Sequence, residues 1–138
     1  MCRCSRRAAM IATVAALLGI ATRAKAAAPA EHRDFIKAAF KMKAEAVRLG
    51  DQPFGAVVVK DGRIIGYGPS RVILKQDATA HAEREAIREA QARLGTDLSG
   101  CLLYSTSRPC AACERAAAHA QIARMIHGAD ATDAGPPR

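Results

Sequence analysis

Apolar and polar positions alternate along the chain with two different periods, which predict a mixture of helices and strands. From Glu31 to Leu49 apolar residues recur every three or four positions, with lysine and arginine between them, as in an amphipathic helix. Gly50 follows and is suited to end that helix. Residues 81–94 repeat this period before Gly95 and predict a second helix, and the alanine-rich residues 110–121 predict a third.

Short runs rich in β-branched residues predict the strands. Residues 56–59 and 63–67 are separated by Asp61-Gly62, and this dipeptide between two such runs is a strong β-hairpin signal. Residues 101–104 and 124–128 predict a third and a fourth strand. The order α-β-β-α-β-α-β favours an α/β fold, a three-layer α/β/α sandwich around a mixed sheet.

The first 26 residues have the composition of a secretory signal peptide. Arginines precede a mostly apolar run from Ala8 to Thr22, and Ala24-Lys25-Ala26 fits an A-x-A cleavage site. The run is shorter than the about 20 residues of a membrane span, so we expect no stable membrane anchor. Ser5-Arg6-Arg7 resembles the start of a twin-arginine signal, with the general export route as the alternative.

This leader changes the meaning of the charge. The 138 residues include 21 Lys+Arg and 13 Asp+Glu, a net charge of +8, but five of the basic residues and none of the acidic ones lie in residues 1–26. Residues 27–138 therefore carry 16 basic and 13 acidic side chains, a net charge of +3. A nucleic-acid-binding surface is expected to be strongly and locally basic, so we expect no nucleic-acid partner. We predict a signal peptide at residues 1–26, one domain at residues 27–138, and an exported protein, periplasmic or secreted; a cytoplasmic protein with an N-terminal extension is the alternative.

One spacing of chemically active residues stands out. His81-Ala82-Glu83 is followed, after 25 residues, by Pro109-Cys110-Ala111-Ala112-Cys113. Zn²⁺ binds thiolate and imidazole, and a catalytic site keeps three protein ligands and one water molecule. Cys110 and Cys113 are three residues apart at the start of a predicted helix, so they share a face, and His81 begins the other helix. Helix N-termini favour thiolates, and Glu83 is close enough to act as a general base without joining the ligands.

The pattern H-x-E…P-C-x-x-C resembles that of the cytidine deaminase superfamily. Residues 53–59 (PFGAVVV) and 77–83 (DATAHAE) look most like bacterial guanine deaminases and related nucleoside or cytosine deaminases, and the resemblance extends from about Glu31 to Ala129. It implies a zinc-dependent hydrolytic deaminase of a free nucleobase or nucleoside, of the guanine or cytosine type, that releases ammonia. It also implies a homodimer. Residue by residue, it implies zinc ligands at His81, Cys110 and Cys113, proton transfer by Glu83, and substrate contacts from Phe54, Ala56, Ser70 and Ala82.

The sequence departs from this family at three points. Ser70 stands where relatives usually carry an asparagine that hydrogen-bonds the base or sugar, and Arg108 stands where many have glutamate. Relatives usually continue past the segment matching residues 127–129, whereas this chain ends at Arg138, so we expect a C-terminally short fold with an exposed sheet edge. Three alternatives stay open: an inactive, truncated zinc-binding fold, a tRNA adenosine deaminase, which shares residues 79–83, and a disulfide between the two motif cysteines in place of the metal.

Overall fold

The structure, a computed structural model, describes residues 30–138. Within them, three helices and five strands follow one another in this order: α1 (Ala30–Arg48), β1 (Gly55–Lys60), β2 (Arg63–Pro69), α2 (Ala82–Leu94), β3 (Leu102–Ser105), α3 (Ala111–His119), β4 (Arg124–His127) and β5 (Thr132–Gly135). None of the described helices is long and apolar enough to cross a membrane. The predicted signal peptide, residues 1–26, lies outside the described residues.

The five strands form one mixed sheet in the order β2-β1-β3-β4-β5. Strands β3 and β4 are parallel, and the other neighbouring pairs are antiparallel. The register places Ala56 of β1 opposite Ser105 of β3, and Ser105 opposite His127 of β4. The start of β1 and the ends of β3 and β4 therefore meet at one end of the sheet.

Helices cover both faces of this sheet. Alternate residues of β1 point to opposite faces, so Val57 packs with α1 whereas Val58 packs with α2 and α3. Strand β1 is apolar on both sides because both of its faces are buried. This arrangement confirms the predicted three-layer α/β/α sandwich.

Helix α2 lies directly against β2 because two glycines leave room for it. A Cβ atom placed on Gly68 would lie 2.0 Å from the Ala82 carbonyl oxygen, and one on Gly66 would lie 2.1 Å from that of Ala86. These distances are far below van der Waals contact, so only glycine allows this approach. The first turn of α2, which follows His81, is thereby held close to the end of β2.

The C-terminal segment corrects one expectation. We expected an exposed edge after β4, but Thr132–Gly135 forms β5 and pairs antiparallel with β4. Its sequence, TDAG, has no run of β-branched or aromatic residues, so the hydrophobic pattern gave no signal for it. An ion pair between Arg124 and Asp133 (2.7 Å) joins the two strands. Backbone pairing and this ion pair define the strand.

Candidate metal centre and active site

The three predicted zinc ligands lie where α2 and α3 begin. His81 directly precedes α2 and Cys110 directly precedes α3, both with extended backbones, and Cys113 is in the first turn of α3. Residues at such positions usually cap free backbone N–H groups with a side-chain oxygen. Neither His81 nor Cys110 makes a capping hydrogen bond. Both side chains are therefore free to bind a metal.

The distances among these three side chains suit a tetrahedral zinc ion. The His81 Nδ1 atom lies 3.7 Å from the Cys110 Sγ atom and 3.4 Å from the Cys113 Sγ atom. All three ligand atoms lie within 4.8 Å of one another. Typical Zn–N and Zn–S bond lengths in tetrahedral geometry place a nitrogen and a sulfur ligand about 3.6 Å apart. The donor set and its spacing thus fit zinc, and nothing in the arrangement requires a disulfide.

Burial acts against the thiolate form of Cys113. Its side chain is fully buried, and this burial raises the pKa of the thiol, as does the nearby negative charge of Glu83. A divalent cation reverses this balance, because it deprotonates a coordinating thiol. Cys110, in contrast, is exposed to solvent. The pair therefore has one enclosed and one accessible ligand.

Glu83 is a buried carboxylate beside the three ligands. It lies in the first turn of α2 and is only 7% exposed. Burial raises the pKa of its carboxyl group above the ordinary value, while its own backbone N–H, the Cys113 thiol and His81 oppose this rise. A carboxyl group with a raised pKa is a stronger base than an ordinary carboxylate, so it is better suited to accept a proton and then return it. Its environment is that of a general acid–base residue.

A cavity of about 250 Å³ opens in front of these groups. Two of the four predicted substrate contacts, Phe54 and Ala82, are in its wall. The other two, Ala56 and Ser70, are fully buried outside it. The complete wall consists of Gln52, Phe54, His81, Ala82, Glu83, Ser107, Arg108 and Cys110.

Ser70 is absent from the wall because its hydroxyl group is bound elsewhere. It donates a hydrogen bond to Asp51 Oδ1 (2.9 Å), which also accepts one from the Gln52 N–H (2.8 Å). The other oxygen, Oδ2, accepts from the N–H groups of Ile73 (3.0 Å) and Leu74 (2.9 Å). Burial by itself raises the pKa of the Asp51 carboxyl, but these four donors outweigh it and lower the pKa below its ordinary value. Asp51 therefore ties the end of β2 and the following loop to the cavity wall.

Three polar residues of the wall were not predicted as substrate contacts. Gln52 immediately precedes Pro53-Phe54, while Ser107 and Arg108 immediately precede Pro109-Cys110. Their adjacency to the recognised motifs was the available signal. In the described structure the Gln52 side chain makes no hydrogen bond with protein, so its amide is free to contact a ligand.

Comparison with known proteins agrees with this geometry. The family model of the cytidine and deoxycytidylate deaminase zinc-binding region matches residues 29–129. The guanine deaminase of Bacillus subtilis (strain 168) is 43% identical over 105 residues, which are 75% of this chain and 67% of that protein. The tRNA-specific adenosine deaminase of Aquifex aeolicus (strain VF5) is 42% identical over 96 residues, 69% of this chain and 64% of that protein.

The solved structures include the same two kinds of deaminase. The crystal structure of the Bacillus subtilis guanine deaminase has a TM-score of 0.68 at 42% identity, with 71% of this chain and 64% of that one covered. A structure from a study of A-to-I editing by tRNA:A34 deaminases has a TM-score of 0.67 at 38% identity, covering 69% and 70%. This chain thus spans about two thirds of the length of these relatives. The family match, the shared fold and the three-ligand cluster together show that the chain belongs to the cytidine and deoxycytidylate deaminase zinc-binding family, and its deaminase relatives indicate a hydrolytic deaminase.

Proposed function

We propose that this protein is a zinc-dependent hydrolytic deaminase of a free nucleobase or nucleoside, of the guanine or cytosine type. The observation that carries the proposal is a cluster of three zinc ligands, two of which (His81 and Cys110) line one small cavity together with Glu83. His81, Cys110 and Cys113 hold the metal. When bound, zinc lowers the pKa of a coordinated water molecule toward neutrality.

Glu83 performs the proton transfers of this reaction. Its carboxylate accepts a proton from the attacking water and donates it to a ring nitrogen of the amidine, while a C–O bond forms at the ring carbon that carries the amino group. A second proton then passes through Glu83 to the amino group, and the C–N bond breaks. The products are ammonia and a compound with a carbonyl group at that ring carbon. Together they contain all the atoms of the substrate and of one water molecule.

The size of the cavity supports a small substrate. Cavities that bind drug-sized ligands measure about 300–1,000 Å³, and a cavity of about 250 Å³ suits one ring system. Phe54 provides an apolar wall for a planar ring, and the Gln52 amide offers both a donor and an acceptor. The 43% identity to a guanine deaminase supports the same class of substrate.

Deamination of adenosine in tRNA is the second candidate, because a tRNA-specific adenosine deaminase is nearly as similar, at 42% identity. The low net charge of residues 27–138 favours the small-molecule substrate, since RNA binding draws most of its affinity from phosphate contacts with basic side chains. A zinc-binding fold without activity is the third candidate.

Ammonia release by the zinc-loaded full chain distinguishes the three. The panel contains guanine, cytosine, adenine, their nucleosides and an adenosine-containing RNA stem-loop, with Glu83→Ala as the inactive variant. Glu31→Gln is the matched control, because Glu31 is exposed on α1, on the other face of the sheet. Release from a base or nucleoside that only Glu83→Ala abolishes supports the proposal. Release from the stem-loop alone favours the tRNA substrate, and no release by a folded, zinc-replete protein favours the inactive fold.

A further inference from the structure

Arg108 provides the cationic side chain in the wall of the cavity. Several other arginines of the described residues have carboxylate partners: Arg48 pairs with Glu45, and Arg124 pairs with Asp133. Within residues 30–138, Arg108 forms neither an ion pair nor a side-chain hydrogen bond, although it lines the cavity and is exposed to solvent. Its guanidinium group is therefore available to a ligand.

The backbone of Arg108 is held in place from both sides. The Ser105 hydroxyl donates to the Ser107 carbonyl oxygen (2.7 Å), and the Gly128 N–H donates to the Ser105 carbonyl oxygen (3.0 Å). Buried Pro109 follows, and a residue before proline is restricted to extended conformations. Only the side chain of Arg108 must become ordered on binding, which limits the entropic cost of a contact.

Apart from the ligand His81, Arg108 is the one basic side chain that the described residues place in the wall of the cavity, and Glu83 is the one acidic side chain. The nearest titratable group on β4 is His127; burial lowers the pKa of this imidazole, and the positive charge of Arg108 lowers it further. The His127 imidazole therefore holds a proton less readily than an ordinary histidine does.

We propose that Arg108 forms an anion subsite in the wall of the cavity and selects substrates that carry a carboxylate or phosphate group on the base or on its ribose. This inference rests on the proposed deaminase function and extends its substrate class to charged bases and nucleotides. The cavity has room for one ring system, and Arg108 lines it while remaining exposed to solvent, so its guanidinium group is available to a substituent of a ring bound there. The planar guanidinium fork binds carboxylate or phosphate oxygens through two parallel hydrogen bonds.

The test compares anionic and neutral members of matched pairs. We would measure kcat/KM of the zinc-loaded full chain for cytosine and 5-carboxycytosine, cytidine and cytidine 5′-monophosphate, and guanosine and guanosine 5′-monophosphate. The first pair presents a carboxylate on the ring, and the other two present a phosphate on the ribose. The variants are Arg108→Gln, Arg108→Lys and, as the control, Arg63→Gln. Arg63 is an exposed arginine at the start of β2, whereas the first turn of α2 lies close to the end of that strand.

We expect wild type to prefer the anionic member of at least one pair. Arg108→Gln reduces that preference by about 10- to 100-fold, the range that corresponds to one or two charge-assisted hydrogen bonds. Arg108→Lys keeps part of the preference because it keeps the charge but loses the fork, and Arg63→Gln keeps all of it. The effect appears mainly in KM.

Four results overturn the inference. The first is a wild-type protein that shows no preference within any pair, and the second is an Arg108→Gln protein with the wild-type preference. The third is loss of zinc from Arg108→Gln with an equal fall in kcat/KM for all probes, which assigns Arg108 to the metal centre. The fourth is an RNA stem-loop that is deaminated faster than every mononucleotide in a reaction that depends on Arg108. If no probe is deaminated, the proposed function fails, and dissociation constants measured by calorimetry for the same pairs test the Arg108 subsite separately. Tighter binding of the anionic member that is lost in Arg108→Gln supports the subsite. Equal binding of the two members contradicts it.

Discussion

Cys113 meets two demands that oppose each other, since it is fully buried and must lose its proton to bind zinc. The metal supplies the charge that makes burial of a thiolate tolerable. We predict that Cys113→Ser reduces bound zinc from one equivalent to a small fraction of that, because a buried hydroxyl is a poor replacement for a thiolate. Elemental analysis after dialysis measures this.

His119→Ala is the matched control, because His119 is an exposed histidine at the end of α3 and is not part of the three-ligand cluster. It should keep full zinc occupancy. Equal zinc in wild type and Cys113→Ser would contradict the assignment of Cys113 as a ligand.

Asp51 is a buried carboxylate with four hydrogen-bond donors and no basic partner in that network. In Asp51→Asn, one carboxylate oxygen becomes an NH₂ group, which must then face an N–H donor. We predict that this variant loses about 1–3 kcal/mol of the free energy of unfolding at pH 7, the usual cost of unsatisfied buried polar groups. Urea denaturation measures the loss.

Asp61→Asn is the control for this substitution. Asp61 has a positive φ of 48° in the turn before Gly62, a conformation that asparagine adopts well, so we expect an unfolding free energy close to that of wild type. Equal free energies for Asp51→Asn and Asp61→Asn would show that the Asp51 network is unimportant for stability.

The same network predicts a pH dependence. The pKa of the Asp51 carboxyl is lower in the folded state than in the unfolded state, so the folded protein favours the ionised carboxylate. The free energy of unfolding that this carboxylate contributes is fully present above the unfolded-state pKa of about 3.9. It is lost as the pH falls through the lowered, folded-state pKa. The difference in stability between wild type and Asp51→Asn should therefore shrink below about pH 4. A difference that grows on acidification would contradict this account.

At this scale the sequence was informative where chemistry depends on local spacing. His81, Cys110 and Cys113 were predictable because each lies at or next to the start of a helix, so spacing along the chain fixes their direction. The position of Ser70 outside the cavity wall was not predictable, because the direction of its hydroxyl group depends on Asp51, 19 residues earlier in the chain. No local pattern reveals that partner.

Among the elements, the contact between α2 and β2 determines where His81 and Glu83 lie. Gly68→Ala would place a methyl group 2.0 Å from the Ala82 carbonyl oxygen, so α2 must shift. We predict a loss of about 2–3 kcal/mol of unfolding free energy, as for severe overpacking, together with weaker zinc binding. Chemical denaturation and zinc titration measure the two effects.

Gly66→Ala separates the effect on stability from the effect on zinc binding. Its methyl group would meet α2 one turn further along, at Ala86. We therefore expect a loss of unfolding free energy similar to that of Gly68→Ala but a smaller loss of zinc affinity. Wild-type stability and zinc affinity in Gly68→Ala would show that α2 is not held by this contact.

The helices and first four strands were predictable because each buries an apolar face with its own period. Strand β5 was not, because it is mostly exposed and is defined by pairing with β4. The close fit of α2 on β2 was also hidden, since Gly66 and Gly68 resemble ordinary breaks in a strand pattern until the partner helix is known.

For the whole molecule, export remains a prediction from residues 1–26. If they are a signal peptide, the chain expressed in a bacterial host should be recovered from the periplasm with Ala27 as its first residue, as measured by intact mass. Replacing Arg6 and Arg7 by lysine should block this export only if the twin-arginine route is used. A cytoplasmic protein with its leader uncleaved would contradict the prediction.

The central claim for the whole molecule is that Glu83 transfers protons at a zinc centre built from two helix N-termini. The most direct test is ammonia release by wild type and Glu83→Gln at matched zinc occupancy, on whichever substrate of the panel is most active. Glutamine keeps the size and polarity of the side chain but transfers no proton, so we predict a fall in kcat of about 10²–10⁴-fold with zinc content unchanged. A Glu83→Gln protein that keeps its zinc and deaminates at the wild-type rate would contradict the account.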